Sequence, residues 1–354
     1  MSAVPPVRPD LQLSEGYHSP QVEAEVRLNT NESPFAPPDA WRQELLQALA
    51  EVSFHRYPDR PATELRQAVA DLHGVTPEEV FCANGSNEVL QSLLLAFGGP
   101  GRRALVFEPT YALHSHIARV TGTEVVVGAR DDEFQIDPGD ALELLATQHP
   151  DVTFLCSPNN PTGRAEPPAT VQSLCEAAPG LVIVDEAYGQ FSPWSALALR
   201  GPAHPGLVVT RTFSKTWAMA GARLGYLVAD PAVVAACESV ALPYHLSIQT
   251  QVAGLVALRH VPEMEARVAR ISEERGRVAA ALHDLAVDSW PSDANFILFR
   301  PRDRDAVEVW RSLLDHSVLI RNCASWDGLR GCLRVTIGTP DENDRFLSAL
   351  KESL

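Results

Sequence analysis

Lysine is nearly missing from this chain. Its 354 residues include 27 arginines but only two lysines, Lys215 and Lys351. Where the chain needs charge alone it uses arginine. Lys215, in TRTFSKTWAMAGARLGY (210–226), is therefore either an ordinary basic residue or a primary amine kept to lose its proton and condense with a carbonyl. Basic runs are missing too, and the formal net charge is −16. That excludes a nucleic-acid surface and leaves any anionic ligand to a few local arginines or backbone amides. The longest apolar runs, such as LLLAF (93–97), fall far short of the roughly 20 residues of a bilayer span. Prolines in MSAVPPVRPD stand where a signal peptide needs an apolar stretch. Six scattered cysteines include no CxxC pair and read as small buried hydrophobes of a reducing compartment. No GxGxxG follows an early strand, which argues against a nicotinamide dinucleotide. The expectation is a cytoplasmic protein without nucleic-acid or membrane partners.

What is present is an alternation of strand and helix signals. Residues 1–40 are proline-rich without helical period and read as an extended arm. Residues 41–53 and 61–73 have helical spacing. ALVFE (104–108), EVVVG (124–128), VTFLC (152–156), LVIVD (181–185), LVVTR (207–211) and LGYLVA (224–229) are short apolar runs rich in β-branched residues, several separated by helical stretches. Such strands are buried on both faces, which predicts an α/β fold with a largely parallel sheet. A helical section spans about 231–286. The last 60 residues change character: NFILF, SVLI and CLRVTIG alternate with two helices and predict a smaller α+β domain. The expected division is an arm over 1–40, a large domain over 41–260 and a small domain over 261–354.

In open α/β sheets, ligands sit beyond the carboxyl ends of strands, so the residues after each run carry the functional reading. SPNNPTG (157–163) exposes Asn160, or is simply good turn chemistry. DEAY (185–188) closes an apolar strand with Asp185, which wants a donor partner or caps a turn. Gly85, Ser86 and Asn87 open an apolar helix and make either an anion site or an ordinary cap. Tyr111, in EPTYALHSH, offers a flat aromatic face or belongs to the core. HSH (114–116) reads as a helix face, with no metal site expected. Together these parts suit pyridoxal phosphate, which needs an amine, a carboxylate facing its pyridinium, donors to its phenolic oxygen and an anion cradle. Lys215, Asp185, Asn160 with Tyr188, and the 85–87 helix start with Ser214 and Arg223 would supply these, with Tyr111 against the ring.

The order NGSNE, PTY, SPNNPTG, DEAY, TFSK, AGARLGY and a late CLR resembles fold type I aminotransferases of the aspartate aminotransferase superfamily, over nearly the whole chain. LNTNESPFAPP, RYPD and IRNCASWDGLRGCLRVTIGTPDENDRFLSAL resemble, more narrowly, its histidinol-phosphate aminotransferase branch. The resemblance implies a seven-stranded, mostly parallel sheet and a homodimer. It implies that Tyr57 reaches the cofactor phosphate of the neighbouring subunit and that Arg334 binds a substrate α-carboxylate. It implies further that Arg321 grips the distal anion and that Tyr17 closes over the substrate. The amino group would pass between histidinol phosphate and 2-oxoglutarate. Asn87 stands where the family commonly has Asp, and Trp217 and Ala222 replace the more usual Phe and Leu. A decarboxylase similar to threonine-phosphate decarboxylase and an aromatic aminotransferase share the pattern.

Overall fold

The computed structural model describes Pro5, Leu11 and residues 22–354. Tyr17 and about half of the expected arm lie outside the described residues. Strands β1 (Val26–Leu28) and β2 (Val80–Ala83) are separated by helices α1 (Asp39–Ala50) and α2 (Thr63–His73). Next come α3 (Ser86–Phe97), β3 (Arg103–Glu108), α4 (Leu113–Val120), β4 (Glu124–Ala129), α5 (Pro138–Gln148), β5 (Val152–Cys156), α6 (Pro168–Ala177), β6 (Leu181–Asp185), β7 (Leu207–Thr212) and β8 (Gly225–Val228). The chain continues through α7 (Pro231–Val240), α8 (Ile248–Ala257) and α9 (Val261–His283), and ends with β9 (Val287–Ser289), β10 (Phe296–Pro301), α10 (Ala306–Asp315), β11 (Val318–Asn322), β12 (Leu333–Thr336) and α11 (Pro340–Ser353).

Seven strands form one sheet in the order β2-β8-β7-β6-β5-β3-β4. All neighbours from β7 to β4 are parallel, and only β8 runs against its two neighbours. The period of two along each strand decides which layer a residue joins. Phe154 and Ile183 face Leu90 and Leu93 of α3 and Val233 of α7. Leu155, Val182 and Val184 face Leu145 of α5 and Leu174 of α6 on the other side. Every residue of β5 and β6 is buried, and each Leu, Ile or Phe so enclosed contributes about 1.5–3 kcal/mol.

A second sheet has the order β1-β11-β12-β10-β9. Its core joins Phe296, Phe299, Ile320, Val335 and Phe346. The arm is not merely extended: β1 adds to this sheet, parallel to β11. The helical section expected over 231–286 is three helices. Pro243 lies in the first break, and Ser247 caps α8 by accepting from the Thr250 amide. None of the described helices is long and apolar enough to cross a membrane.

Candidate active site

A cavity of about 390 Å³ lies at the carboxyl ends of β5, β6 and β7. It is closed from the other side by residues 29–32 and Arg334. Asn87, Tyr111, Asn160, Asp185, Tyr188 and Lys215 line it, with Ser86, Ser214 and Arg223.

Asp185 ends β6 and is buried. One carboxylate oxygen accepts from the Ala187 amide (3.1 Å) and the Thr210 hydroxyl (3.3 Å). The other meets Nε2 of His114 at 3.0 Å. His114 is fully buried and stacks on Phe154 at 4.7 Å, with Tyr111 against its edge at 5.5 Å. A carboxylate only accepts, so Nε2 carries the proton and Nδ1 is left without a partner. The neighbouring Glu186 faces away from the cavity, in a buried pair with Arg211 at 2.7 Å.

Lys215 lies just beyond β7, and its amine donates to the Thr30 carbonyl at 3.0 Å. Burial lowers its pKa from 10.5 to about 8; the charges of Arg334 and then Arg223 push the same way, and Glu32 opposes them. Tyr188 is buried, and desolvation pushes its phenol well above the usual range, so it keeps its proton at neutral pH.

The turn after β5 divides labour between adjacent asparagines. Asn159, fully buried, donates to the Pro109 carbonyl (3.0 Å) and Thr162 (2.9 Å) and accepts from Thr110 (2.8 Å). That fastens the turn and presents Asn160 to the cavity, where its Oδ1 accepts from Arg334. Behind the turn, Arg130 and Glu166 form a buried ion pair.

At the opposite end, α3 begins without a side-chain cap, so its first amides remain available to an anion. Arg223 donates to Ser214 Oγ at 3.2 Å. Gly85 sits at φ 80°, a conformation that favours glycine, and a Cβ there would displace the Arg223 guanidinium, 2.5 Å away.

Arg334 leaves β12, where it pairs in register with Arg321 of β11. It donates to the Asn29 carbonyl at 2.8 Å. Arg321 is buried with its guanidinium over Trp326 at 5.2 Å and does not line the cavity. Tyr57 also lies away from the cavity, exposed and stacked on Tyr244 at 4.4 Å. Tyr17 is outside the described residues. Sequence reasoning missed His114, Asn29, Asn31 and Glu32. The HSH triplet and the LNTNES stretch were visible, but nothing local revealed what they touch.

Residues 23–350 match the family profile of aminotransferase class I and II, so this chain belongs to the class I and II aminotransferases. The chain is 48% identical to a histidinol-phosphate aminotransferase of Thermobifida fusca, over 98% of this chain and 94% of that protein. It is 46% identical to one of Corynebacterium efficiens, with the same shares covered. Within the class it falls in the histidinol-phosphate aminotransferase family. The structure of the Sinorhizobium meliloti histidinol-phosphate aminotransferase, in complex with pyridoxal-5'-phosphate, superposes with a TM-score of 0.89 at 23% identity, over 99% of this chain and 98% of that one; this likeness is one of fold.

Proposed function

We propose that this chain is a pyridoxal phosphate-dependent aminotransferase of histidine biosynthesis. It passes the amino group between histidinol phosphate and 2-oxoglutarate. The observation that carries the reading is the cavity itself: it joins a primary amine of lowered pKa, a buried carboxylate and an uncapped helix start beside an arginine. Its volume lies within the roughly 300–1,000 Å³ typical of small-ligand sites, and its donor set matches the cofactor group by group. Bound there, pyridoxal phosphate supplies an aldehyde for an amine and an electron-poor ring that takes up negative charge.

The residues have separable tasks. Asp185 would hold the proton on the ring nitrogen, steadied by His114. Asn160 accepts from Arg334 through Oδ1, so its Nδ2 is the group left to donate to the phenolic oxygen, together with the Tyr188 hydroxyl. The amides of Ser86 and Asn87, the Ser214 hydroxyl and Arg223 would hold the phosphate, and Tyr111 would lie against the ring. Lys215 would carry the covalent link and move the proton at the substrate Cα. With a pKa near 8, roughly a tenth of it is uncharged at pH 7, against less than a thousandth for an ordinary lysine.

Arg334 would receive an α-carboxylate. Arg321, its cross-strand neighbour, would face the distal anion: the phosphate of one substrate and the side-chain carboxylate of glutamate in the other. The resemblance assigns Tyr17 to the cover. It also assigns Tyr57 to the partner's site in a homodimer. Exposed apolar side chains are in keeping with that assembly: Tyr57 stacks on Tyr244, and both, like Leu46, Phe54 and Leu242, are at least 42% exposed. The arm and the small domain (261–354) would close on the large domain (41–260). The six unpaired cysteines suit a cytoplasmic setting.

The test is a spectrophotometric half-reaction with histidinol phosphate, phenylalanine and threonine phosphate side by side. Histidinol phosphate is expected to react with the highest kcat/KM. Carbon dioxide release from threonine phosphate, without keto-acid-dependent transfer, would overturn the reading.

A further inference from the structure

Asn31 belongs to the LNTNES stretch, on the side of the cavity opposite the large sheet. It is buried and takes a left-handed conformation, φ 57°. Four hydrogen bonds converge on it. Its amide N–H donates to Thr336 Oγ1 at 3.0 Å. The Thr336 hydroxyl donates back to Asn31 Oδ1 at 2.9 Å. Nδ2 of Asn31 donates to the Tyr188 hydroxyl at 2.9 Å. The Asn31 carbonyl accepts from Asn295 at 3.2 Å. Asn31, Thr336, Tyr188 and Asn295 are each at most 4% exposed, so each polar group in this cluster needs a partner.

Donor and acceptor bookkeeping then fixes every proton. Thr336 receives the Asn31 amide proton, so its own proton goes to Oδ1. An oxygen held there forces Nδ2 toward Tyr188. Tyr188 must accept from Nδ2, so its own proton turns elsewhere, and Tyr188 lines the cavity. Flipping the Asn31 amide would give Thr336 two donors, leave its buried proton without an acceptor and draw the Tyr188 proton away from the site.

We propose that Asn31 and Thr336 are positioning residues that aim the Tyr188 proton into the cavity. Through them the arm and the small sheet set the hydrogen-bonding sense of a residue in the turn after β6. The inference rests on the proposed role of Tyr188 as a donor to the cofactor's phenolic oxygen. Such a donor favours the anionic oxygen. It therefore lowers the pH midpoint at which the bound cofactor's visible absorption changes as it loses a proton.

The experiment titrates that absorption in the holoenzymes of wild type, Thr336→Val, Thr336→Ser, Tyr188→Phe and the double variant Thr336→Val/Tyr188→Phe. Thr336→Val keeps the shape and removes the hydroxyl, and should raise the midpoint by about one pH unit or less. Thr336→Ser keeps the hydroxyl and should leave it unchanged. Tyr188→Phe should raise it at least as far, and the double variant should move no further than Tyr188→Phe alone, because Thr336 acts only through Tyr188. If Tyr188→Phe leaves the midpoint in place, the assignment of Tyr188 is wrong and the inference falls with it. If Tyr188→Phe moves it and Thr336→Val does not, the relay alone is overturned. Equal shifts from Ser and Val, or full additivity in the double variant, would reduce Thr336 to a packing role.

Discussion

The two walls of the cavity are assembled from different distances along the chain. On one side, Asp185 ends β6 with Tyr188 in the turn that follows, and Ser214, Lys215 and Arg223 lie in the connection after β7, the adjacent parallel strand. On the other side, Asn29 and Asn31 are held by Arg334 and Thr336, 305 positions away. The first wall is part of a sheet whose strands are buried on both faces, so its groups keep their places through packing. The second depends on the arm and the small sheet reaching the large one. A rigid wall suits chemistry that must occur at fixed positions. A wall made of docked segments suits recognition of the substrate and closure. Substitutions on the first wall should therefore abolish turnover for every amino donor, and those on the second should separate the donors.

The largest effect belongs to Lys215. Lys215→Ala should lower turnover on the order of 10⁴-fold. Lys215→Arg should be equally inactive, because a guanidinium keeps the charge and cannot condense. Borohydride reduction of the holoenzyme and subsequent peptide mapping should place the cofactor on Lys215; a label on Lys351 would refute the assignment. The two walls also meet electrostatically here. In cofactor-free protein, Lys215 should be acylated with a midpoint near pH 8. The charge of Arg334 depresses that value, so Arg334→Leu should move the midpoint upward. A midpoint that stays fixed would mean burial alone sets the amine.

Arg334 of the second wall and its cross-strand neighbour Arg321 should separate the donors. Losing a charge-assisted contact at a buried site costs about 2–5 kcal/mol, roughly 30- to 4000-fold in kcat/KM. Arg321→Leu should impair histidinol phosphate and glutamate together and phenylalanine much less, since the phenylalanine side chain is neutral. Arg334→Leu should impair every α-carboxylate donor and spare histidinol phosphate in comparison. If Arg321→Leu lowers all three donors equally, Arg321 supports the small sheet and does not select the substrate.

The same contrast of distances explains what the amino-acid sequence revealed. VTFLC and LVIVD are readable as buried strands because burial on both faces leaves an unbroken apolar run, and the turns at their carboxyl ends mark the site. VFCA (80–83) was harder: β2 is a four-residue edge strand preceded by a short 3-10 turn at Pro77–Glu79. VRL (26–28) has no pattern of its own and becomes a strand because β11 offers it an edge. Asn159 and Asn160 look alike in sequence, and only Thr110, Pro109 and Arg334 tell them apart. Asn31 was inconspicuous for the same reason, since its hydrogen-bond partners lie 157 to 305 positions further on.

His114 gives the smallest effect, and it tests whether the first wall works as one unit. It was readable only as part of a helix, yet it lies against Asp185 and never lines the cavity. His114→Phe keeps a flat ring against Phe154 and removes the Nε2 donor. Asp185 retains the Ala187 and Thr210 donors on its other oxygen, so its charge survives with weaker support. A hydrogen bond to a charged group contributes about 1.5–3 kcal/mol, which sets a loss of roughly 10- to 150-fold in kcat. Because the contact is to the carboxylate and not to the substrate, histidinol phosphate, glutamate and phenylalanine should fall by the same factor. Thermal stability should hold, since the unpartnered Nδ1 disappears together with the lost donor. Measuring kcat for the three donors beside a melting curve checks both halves. A drop confined to one donor would show that the first wall also selects its substrate, and the contrast between the walls would then fail.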